Sequence, residues 1–140
     1  MSQDVYAGWP RKSFRAGDTL TAGAVLRFMT AGANAGFVSY HATDTQYIIG
    51  VALNAASATG EAVNVLLAGV TVKCNANASI SAGSLVGVAT DAAGRIVERG
   101  QAATTTGQVP ILGIALDRGQ LTNSAVEVLV QTFSANLQSA

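Results

Sequence analysis

The sequence IIGVALNAASATGEAVNVLLAG, residues 48–69, returns 63 positions later as ILGIALDRGQLTNSAVEVLVQT, residues 111–132, without a gap. Within it, Asn54 aligns with Asp117, a residue of the same turn-forming kind. Internal self-similarity of this kind indicates that one structural unit is used twice. The repeated stretch therefore decides which folds the chain can adopt.

A second echo lies upstream of each copy, where Leu20–Gly23 (LTAG) matches Ile80–Gly83 (ISAG) at an offset of 60. We therefore divide the body, a single β domain of residues 14–140, into pseudo-repeats at about residues 14–76 and 77–133. Two copies are too few for a solenoid. The sequence predicts an all-β fold in which both copies close into one compact β-barrel or sandwich.

Each copy contains a predicted β-hairpin. In the first copy, residues 25–30 (VLRFMT) and 37–40 (FVSY) flank the turn AGANAG. In the second copy, residues 85–90 (LVGVAT) and 95–98 (RIVE) flank the turn DAAG. The second turn suits a tight reversal, because Asp at its start hydrogen-bonds to nearby backbone and Gly at its end accepts positive φ.

The repeated stretch begins with a run that is apolar on both faces, IIGVAL in one copy and ILGIAL in the other. Such runs are typical of strands buried on both sides, and the central Gly50 and Gly113 predict a bulge or a close approach of two backbones. In the downstream run VTVKC, Cys74 shares a face with two valines, which favours a core position over a reactive thiol. The predicted helix content is low, and residues 134–140 are expected to fray.

Residues 1–13 (MSQDVYAGWPRKS) have no partner in the repeat and are predicted to form an extended N-terminal arm. The arm contains Trp9, the only tryptophan, and Pro10, which favours extended backbone before it. Because Trp, Tyr and Arg are enriched at binding hot spots, one interpretation is that the arm contacts another protein. The other interpretation is that the arm folds back on its own body.

Charged residues make up 11% of the chain, and the formal net charge is zero. A typical globular domain is about 25% charged, and surface charge keeps monomers apart. We therefore expect part of the surface to be buried against other chains. The alternative is a soluble β protein that is simply rich in small, turn-forming residues. Scattered cations without net positive charge do not favour nucleic-acid binding.

The N-terminus lacks the apolar core of a signal peptide, and no run approaches the roughly 20 apolar residues of a membrane helix. We therefore expect the chain to be made in the cytoplasm and to have no membrane partner. One cysteine excludes an internal disulfide.

Residues that could carry chemistry are few. The single histidine, His41, could act as a base with Asp44, but no third partner is evident, and the preferred interpretation is a strand-end residue in solvent. One histidine cannot build a histidine-based metal cluster, and no phosphate-binding glycine motif opens a helix. The sequence predicts no enzyme, no metal, no cofactor and no small-molecule substrate.

The motifs occur in a fixed order. The first copy reads AGDTLTAGAVLRF, a hairpin, GVAL, GEAV and VNVLLAGV, and the second reads ISAGSLVGVATDAAGRIV, ILGIALD and AVEVLV. In this order and duplication the chain resembles the capsid cement, or head decoration, proteins of tailed bacteriophages. The resemblance covers about residues 14–133 and rests on low-complexity glycine, alanine and valine patterns.

The resemblance implies a small β-rich, β-tulip-like fold that forms a homotrimer on the exterior of the expanded capsid. Such a protein belongs to the virion, bridges neighbouring subunits of the major capsid protein and has no catalytic residues. The arm is then the predicted capsid or intersubunit contact, with Trp9 as its anchor and its cations facing acidic groups of the capsid. The predicted contact residues are Val5, Tyr6, Trp9, Arg11, Lys12, Phe14 and Arg15.

Two other classes of function stay open at this stage. The first is a β-sandwich binding module, such as a carbohydrate-binding domain or a tail-fibre component, which would present several exposed aromatic side chains. Here aromatic residues are 6% of the chain, and Phe28, Phe37, Tyr40 and Tyr47 are expected mostly in core-like strands. The second is a small enzyme that uses His41. The apolar runs at residues 48–53 and 111–116 could form a trimer contact, but a core role is the preferred interpretation.

Overall fold

The computed structural model describes residues 11–30, 32–41, 47–89, 93–99, 107–119 and 124–137. Within these ranges the chain forms ten β-strands and no helix. The strands of the first half are β1 (Arg11–Arg15), β2 (Val25–Phe28), β3 (Val38–Tyr40), β4 (Gly50–Ala52) and β5 (Ala62–Leu66). Those of the second half are β6 (Ala68–Asn75), β7 (Leu85–Val88), β8 (Ile96–Glu98), β9 (Gly107–Ala115) and β10 (Ala125–Leu137).

The strands form two antiparallel five-stranded sheets, with the orders β1-β5-β4-β2-β3 and β6-β10-β9-β7-β8. Adding five to each strand number of the first sheet gives the order of the second. Among the described strands, the two edges of each sheet do not pair, so neither sheet closes into a barrel. The predicted all-β class is confirmed, and of the two predicted architectures the sandwich fits. Descent of the two halves from one duplicated unit stays a prediction of the sequence.

Both predicted hairpins are confirmed. Strand β2 pairs with β3, and β7 pairs with β8, in antiparallel register. Gly36 and Gly94 close the two turns with φ of 89° and 78°. At this φ an ordinary side chain is strained, whereas glycine is not.

The apolar strands β4 and β9 lie inside their sheets, each with a hydrogen-bonded neighbour on both edges. A Cβ atom added at Gly50 would overlap the carbonyl oxygen of Leu66, and one added at Gly113 would overlap that of Leu129. The predicted close approach of two backbones is therefore present at both glycines. It explains why the apolar run is interrupted by a residue without a side chain.

Two clusters of buried side chains form the core. One lies within the first half and contains Leu26, Val38, Val63 and Val65. The other fills the second half and extends into the first, where it includes Val25, Val51 and Leu66; we call it the shared core. Cys74, 1% exposed, belongs to the shared core, which confirms its predicted position.

Two boundaries differ from expectation. The segment at residues 134–140 was expected to fray, but β10 runs to Leu137, with Ser134 opposite Pro110 and Leu137 opposite Gly107. The expectation fails for residues 134–137 because β9 also extends and supplies backbone partners. At the other end, residues 11–13 of the predicted arm are the first three residues of β1 and pair with β5.

Candidate interaction surface

The predicted contact residues fall into two groups. Val5, Tyr6 and Trp9 lie outside the described residues. Arg11, Lys12, Phe14 and Arg15 all lie in β1, which is the edge strand of the first sheet. The structure thus brings four of the seven onto one short element.

Strand β1 presents mostly charged side chains. Arg11, Lys12 and Arg15 are exposed, and among the described strands β1 pairs only with β5. Arg15 also reaches back to the body, because its Nη1 lies 3.5 Å from the Gly60 carbonyl oxygen. Cations on an edge strand discourage indiscriminate strand pairing, so this edge is suited to a partner of opposite charge.

Phe14 faces inward on β1 and is partly exposed. Its ring meets that of Phe28 edge-on, with centroids 5.4 Å apart and planes at 75°. Edge-to-face aromatic pairs of this kind are favourable beyond the area they bury, by about 0.5–1.5 kcal/mol. Phe28 remains 41% exposed, so the pair forms an apolar patch beside the cations of β1.

Two aromatic residues were placed wrongly by sequence reasoning. Phe28 and Tyr47 were expected in core-like strands, but they are 41% and 82% exposed. Phe28 is the last residue of β2 and is exposed, whereas Leu26, two residues earlier in the strand, is buried. A signal was available in the repeat, because the position aligned with Phe28 holds the much smaller Val88.

His41 is also placed differently from expectation. It was expected in solvent, but it is fully buried. The turn of the second hairpin covers this strand end, since the Gly94 N–H donates to the His41 carbonyl oxygen at 2.9 Å. Its suggested partner Asp44 lies outside the described residues.

Several acidic and amide side chains hold turns. The Asn54 Oδ1 accepts the Asn64 N–H at 2.7 Å, and at the aligned position the Asp117 Oδ1 accepts the Glu127 N–H at 2.9 Å. Glu61 accepts the backbone N–H of Ser57 at 2.9 Å, and this hydrogen bond lowers the pKa of Glu61. These side chains are structural acceptors for backbone donors.

Glu98 plays the same part in the second half. Its Oε1 accepts the Ser81 N–H and, at 3.1 Å, the Ser84 hydroxyl. The backbone hydrogen bond from Ser81 is the main cause that lowers the pKa of Glu98. Burial acts in the opposite direction on Cys74, because desolvation of the thiolate raises the pKa of its thiol to about 12.

In the described part of the chain, no group of three or more His, Cys, Asp or Glu residues is arranged to hold a metal ion. The same residues include no helix that is long and apolar enough to cross a membrane.

The sequence matches no known protein family and no curated protein. The fold is similar to that in the crystal structure of the N base of head fiber gp8.5 in bacteriophage phi29. The two chains superpose with a TM-score of 0.60 and 17% sequence identity, over 86% of this chain and 92% of the other. At this identity the likeness concerns the fold.

Proposed function

We propose that this chain is a structural protein of a tailed-phage head, and specifically a cement protein that binds the outer surface of the expanded head. The single observation that carries the proposal is the shared fold with a phage head fiber base over 86% of this chain. The resemblance of the motif order to capsid cement proteins supports the same function and does not depend on the fold comparison. In this function the protein bridges neighbouring subunits of the major capsid protein.

We propose that the chain has no enzymatic activity. The acidic side chains Glu61, Glu98 and Asp117 are occupied as acceptors for backbone N–H groups. The thiol of Cys74 is buried, and its pKa of about 12 keeps it protonated at neutral pH, whereas the nucleophile in cysteine chemistry is the thiolate. A clamp on a shell requires many modest contacts and no reactive group.

The capsid contact is assigned to residues 1–10 together with the exposed face of β1. Arg11, Lys12 and Arg15 supply three cations on one edge, and arginine side chains are common anchors of protein interfaces. This chemistry fits an acidic capsid surface. The partly exposed Phe14 is assigned to a contact between copies of the chain.

The resemblance to capsid cement proteins implies a homotrimer, and a homotrimer suits the proposed function. Three copies that bind together place three modest contacts on the shell at once. The second and third contacts then form at high local concentration, so the overall affinity exceeds that of one contact without any new interaction.

The test is co-sedimentation with expanded heads that lack this protein. Full-length protein should bind saturably. A variant without residues 2–10 retains β1 and should bind at least tenfold more weakly, as should Arg11→Glu/Lys12→Glu, because each removes part of the contact. Lys73→Glu is the matched control, since Lys73 is an exposed cation on β6 in the second half, and it should bind as the wild type does.

The possible outcomes distinguish an error in the location of the capsid contact from an error in the cement function. Equal binding by all variants would move the contact from β1 to another surface. Absence of binding by the full-length protein would refute the cement function.

A second candidate function gains support from one observation. Tyr47 is 82% exposed and Phe28 is 41% exposed, and exposed aromatic rings are what a carbohydrate-binding module uses to stack on sugars. A glycan array would test this function. Reproducible binding that is lost in Tyr47→Ala would favour a binding module or tail-fibre component over a cement protein.

A further inference from the structure

The two halves of the chain, residues 11–66 and 68–137, contact each other through different surfaces. The first half contributes a row of side chains that crosses its sheet, with Val25 opposite Val51 and Val51 opposite Leu66. We call these three residues the outer row of the first half. They are at most 2% exposed and belong to the shared core.

The second half contributes side chains at one end of its own core. Most inward-facing side chains of its strands are buried within the second half itself, as the aligned side chains are within the first half. In addition, the shared core includes a set that we call the mouth of the second half. The mouth consists of Cys74, Val88, Leu112 and Val130, each at most 1% exposed. The outer row of the first half therefore covers the mouth of the second.

Backbone contacts mark the edges of this internal interface. The carbonyl oxygen of Gly94 accepts the Val25 N–H at 3.0 Å, and its N–H donates to the His41 carbonyl oxygen. At the other edge, Gly23 lies so close to β6 that an added Cβ would come within 2.8 Å of the Lys73 carbonyl oxygen. Gly94 and Gly23 are both buried.

The same two surfaces occur a second time, and there the described side chains are exposed or only partly buried. The mouth of the first half lies at the aligned positions Phe14, Phe28, Ile49 and Leu67. Phe28 is exposed and the other three are partly exposed, although every aligned residue of the second half is buried. Within the described part of the chain, the open end of the first half's core is therefore only partly covered.

The outer row of the second half repeats the register of the first. Leu85 lies opposite Ile114, and Ile114 lies opposite Leu129. All three are partly exposed, whereas their counterparts in the first half are buried. Leu116 extends this row and is 45% exposed, while the aligned Leu53 packs against the shared core.

The glycines show the same asymmetry. Gly36 is aligned with Gly94 and Gly83 with Gly23, yet both are exposed, and a Cβ atom added to either would meet no atom within 4 Å. Each of the two surfaces that form the internal interface therefore recurs in the opposite half, where the glycine at its edge is exposed.

We propose that a second copy of this chain completes the pattern. The outer row of the second half of one copy covers the mouth of the first half of the next, in the geometry that the chain already uses internally. This contact joins two different surfaces and is therefore heterologous, and heterologous contacts that close generate rings. Covering leucine, isoleucine and phenylalanine side chains supplies the driving force, at roughly 25 cal/mol per Å² of apolar surface.

The inference deepens the homotrimer proposed above, because it names the surfaces through which the copies meet and makes the oligomer a closed head-to-tail ring. Its test uses the purified protein without capsids. Failure of capsid binding and failure of self-association are consequently separate results.

The test uses one variant for each surface. Phe28→Glu places a charge in the mouth of the first half, and Leu116→Glu places one beside the outer row of the second half. Both side chains are more than 40% exposed, so each variant should fold. Light scattering after size exclusion should give the wild type a fixed mass that is a small multiple of 14.1 kDa, and each variant the mass of a monomer.

Mixing the two variants distinguishes a heterologous contact from a symmetric one. Phe28→Glu retains an intact outer row and Leu116→Glu retains an intact mouth, so the mixture should form a 1:1 dimer and nothing larger. Monomers that do not combine, although circular dichroism shows both to be folded, would overturn the proposal. A monomeric wild type, or a mass that rises continuously with concentration, would overturn it as well.

Ala125→Glu is the matched control. Ala125 and the aligned Ala62 are both exposed, so this position takes no part in the internal interface or in its repeat. The variant should retain the mass of the wild-type ring. Loss of the ring in Ala125→Glu would show that any added negative charge disperses the copies and would remove the support that the other variants give.

Discussion

At the scale of single residues, the fold depends on positions where the absence of a side chain is the requirement. Gly50 is the first residue of β4 and Gly113 lies near the end of β9, and both interrupt an apolar run of the sequence. Each faces the backbone carbonyl oxygen of a neighbouring strand, Leu66 or Leu129. A methyl group at either position has no room unless the strands separate, and separation would weaken the backbone hydrogen bonds of the sheet.

Gly50→Ala should therefore destabilise the protein by about 3 kcal/mol, near the upper end of the usual cost of overpacking a core. Urea unfolding would measure the loss. Gly60→Ala is the control, because a Cβ there meets no atom within 4 Å and only its φ of 93° is unfavourable. The control should cost about 1–2 kcal/mol, and equal losses in both variants would contradict the steric explanation.

At the scale of strands, the sequence predicted the elements that a short, local sequence pattern marks. The hairpins β2–β3 and β7–β8 follow from β-favouring runs around glycine turns, and β4 and β9 follow from runs that are apolar on both faces. The end of β10 was missed, because residues 134–137 (SANL) have no such pattern. Their strand conformation depends on β9, a partner distant in the chain, which no local pattern records.

Truncation tests this element directly. Removing residues 134–140 should lower the free energy of unfolding and increase amide exchange in residues 107–109 of β9, because their backbone partners on β10 are lost. Removing only residues 138–140 is the control and should leave exchange in β9 unchanged. If the longer truncation also left it unchanged, the segment would behave as the frayed tail that the sequence suggested.

The candidate interaction surface was predictable to a similar degree. The sequence predicted Arg11, Lys12, Phe14 and Arg15 as contact residues, and the structure places all four on one strand. Their contact with a partner stays a prediction. Phe28 and His41 were misplaced, one as core and the other as surface. The second half of the chain contacts His41 through the Gly94 N–H, and the described residues leave Phe28 41% exposed. Contacts between the halves produce no hydrophobic periodicity, so the sequence pattern does not predict them.

At the scale of the whole molecule, the shared core makes the two halves one unit. Side chains from both halves pack in it, and its members include the protein's single cysteine. A thiol in that position is inaccessible to reagents and is protonated, so it reacts only when the shared core opens. Cys74 is therefore a built-in probe of coupling between the halves.

Val63→Ala removes two methyl groups from the cluster that belongs to the first half, and it should cost about 2 kcal/mol. If the halves unfold together, labelling of Cys74 at pH 8 should accelerate by about 30-fold, since each 1.4 kcal/mol is a factor of ten. Thiol labelling under native conditions measures this rate. Thr19→Ala, an exposed change in the first half, should leave it unaltered, and an unaltered rate in Val63→Ala would mean that the halves open independently.

The connection between the halves is a single residue, Leu67, between the end of β5 and the start of β6. A linker of one residue keeps the two halves of the same chain close together. It therefore sets a very high effective concentration for pairing within the chain. The high effective concentration therefore favours pairing within the chain over exchange of halves between molecules. We therefore expect each chain to pair its own halves during folding, before it meets another copy.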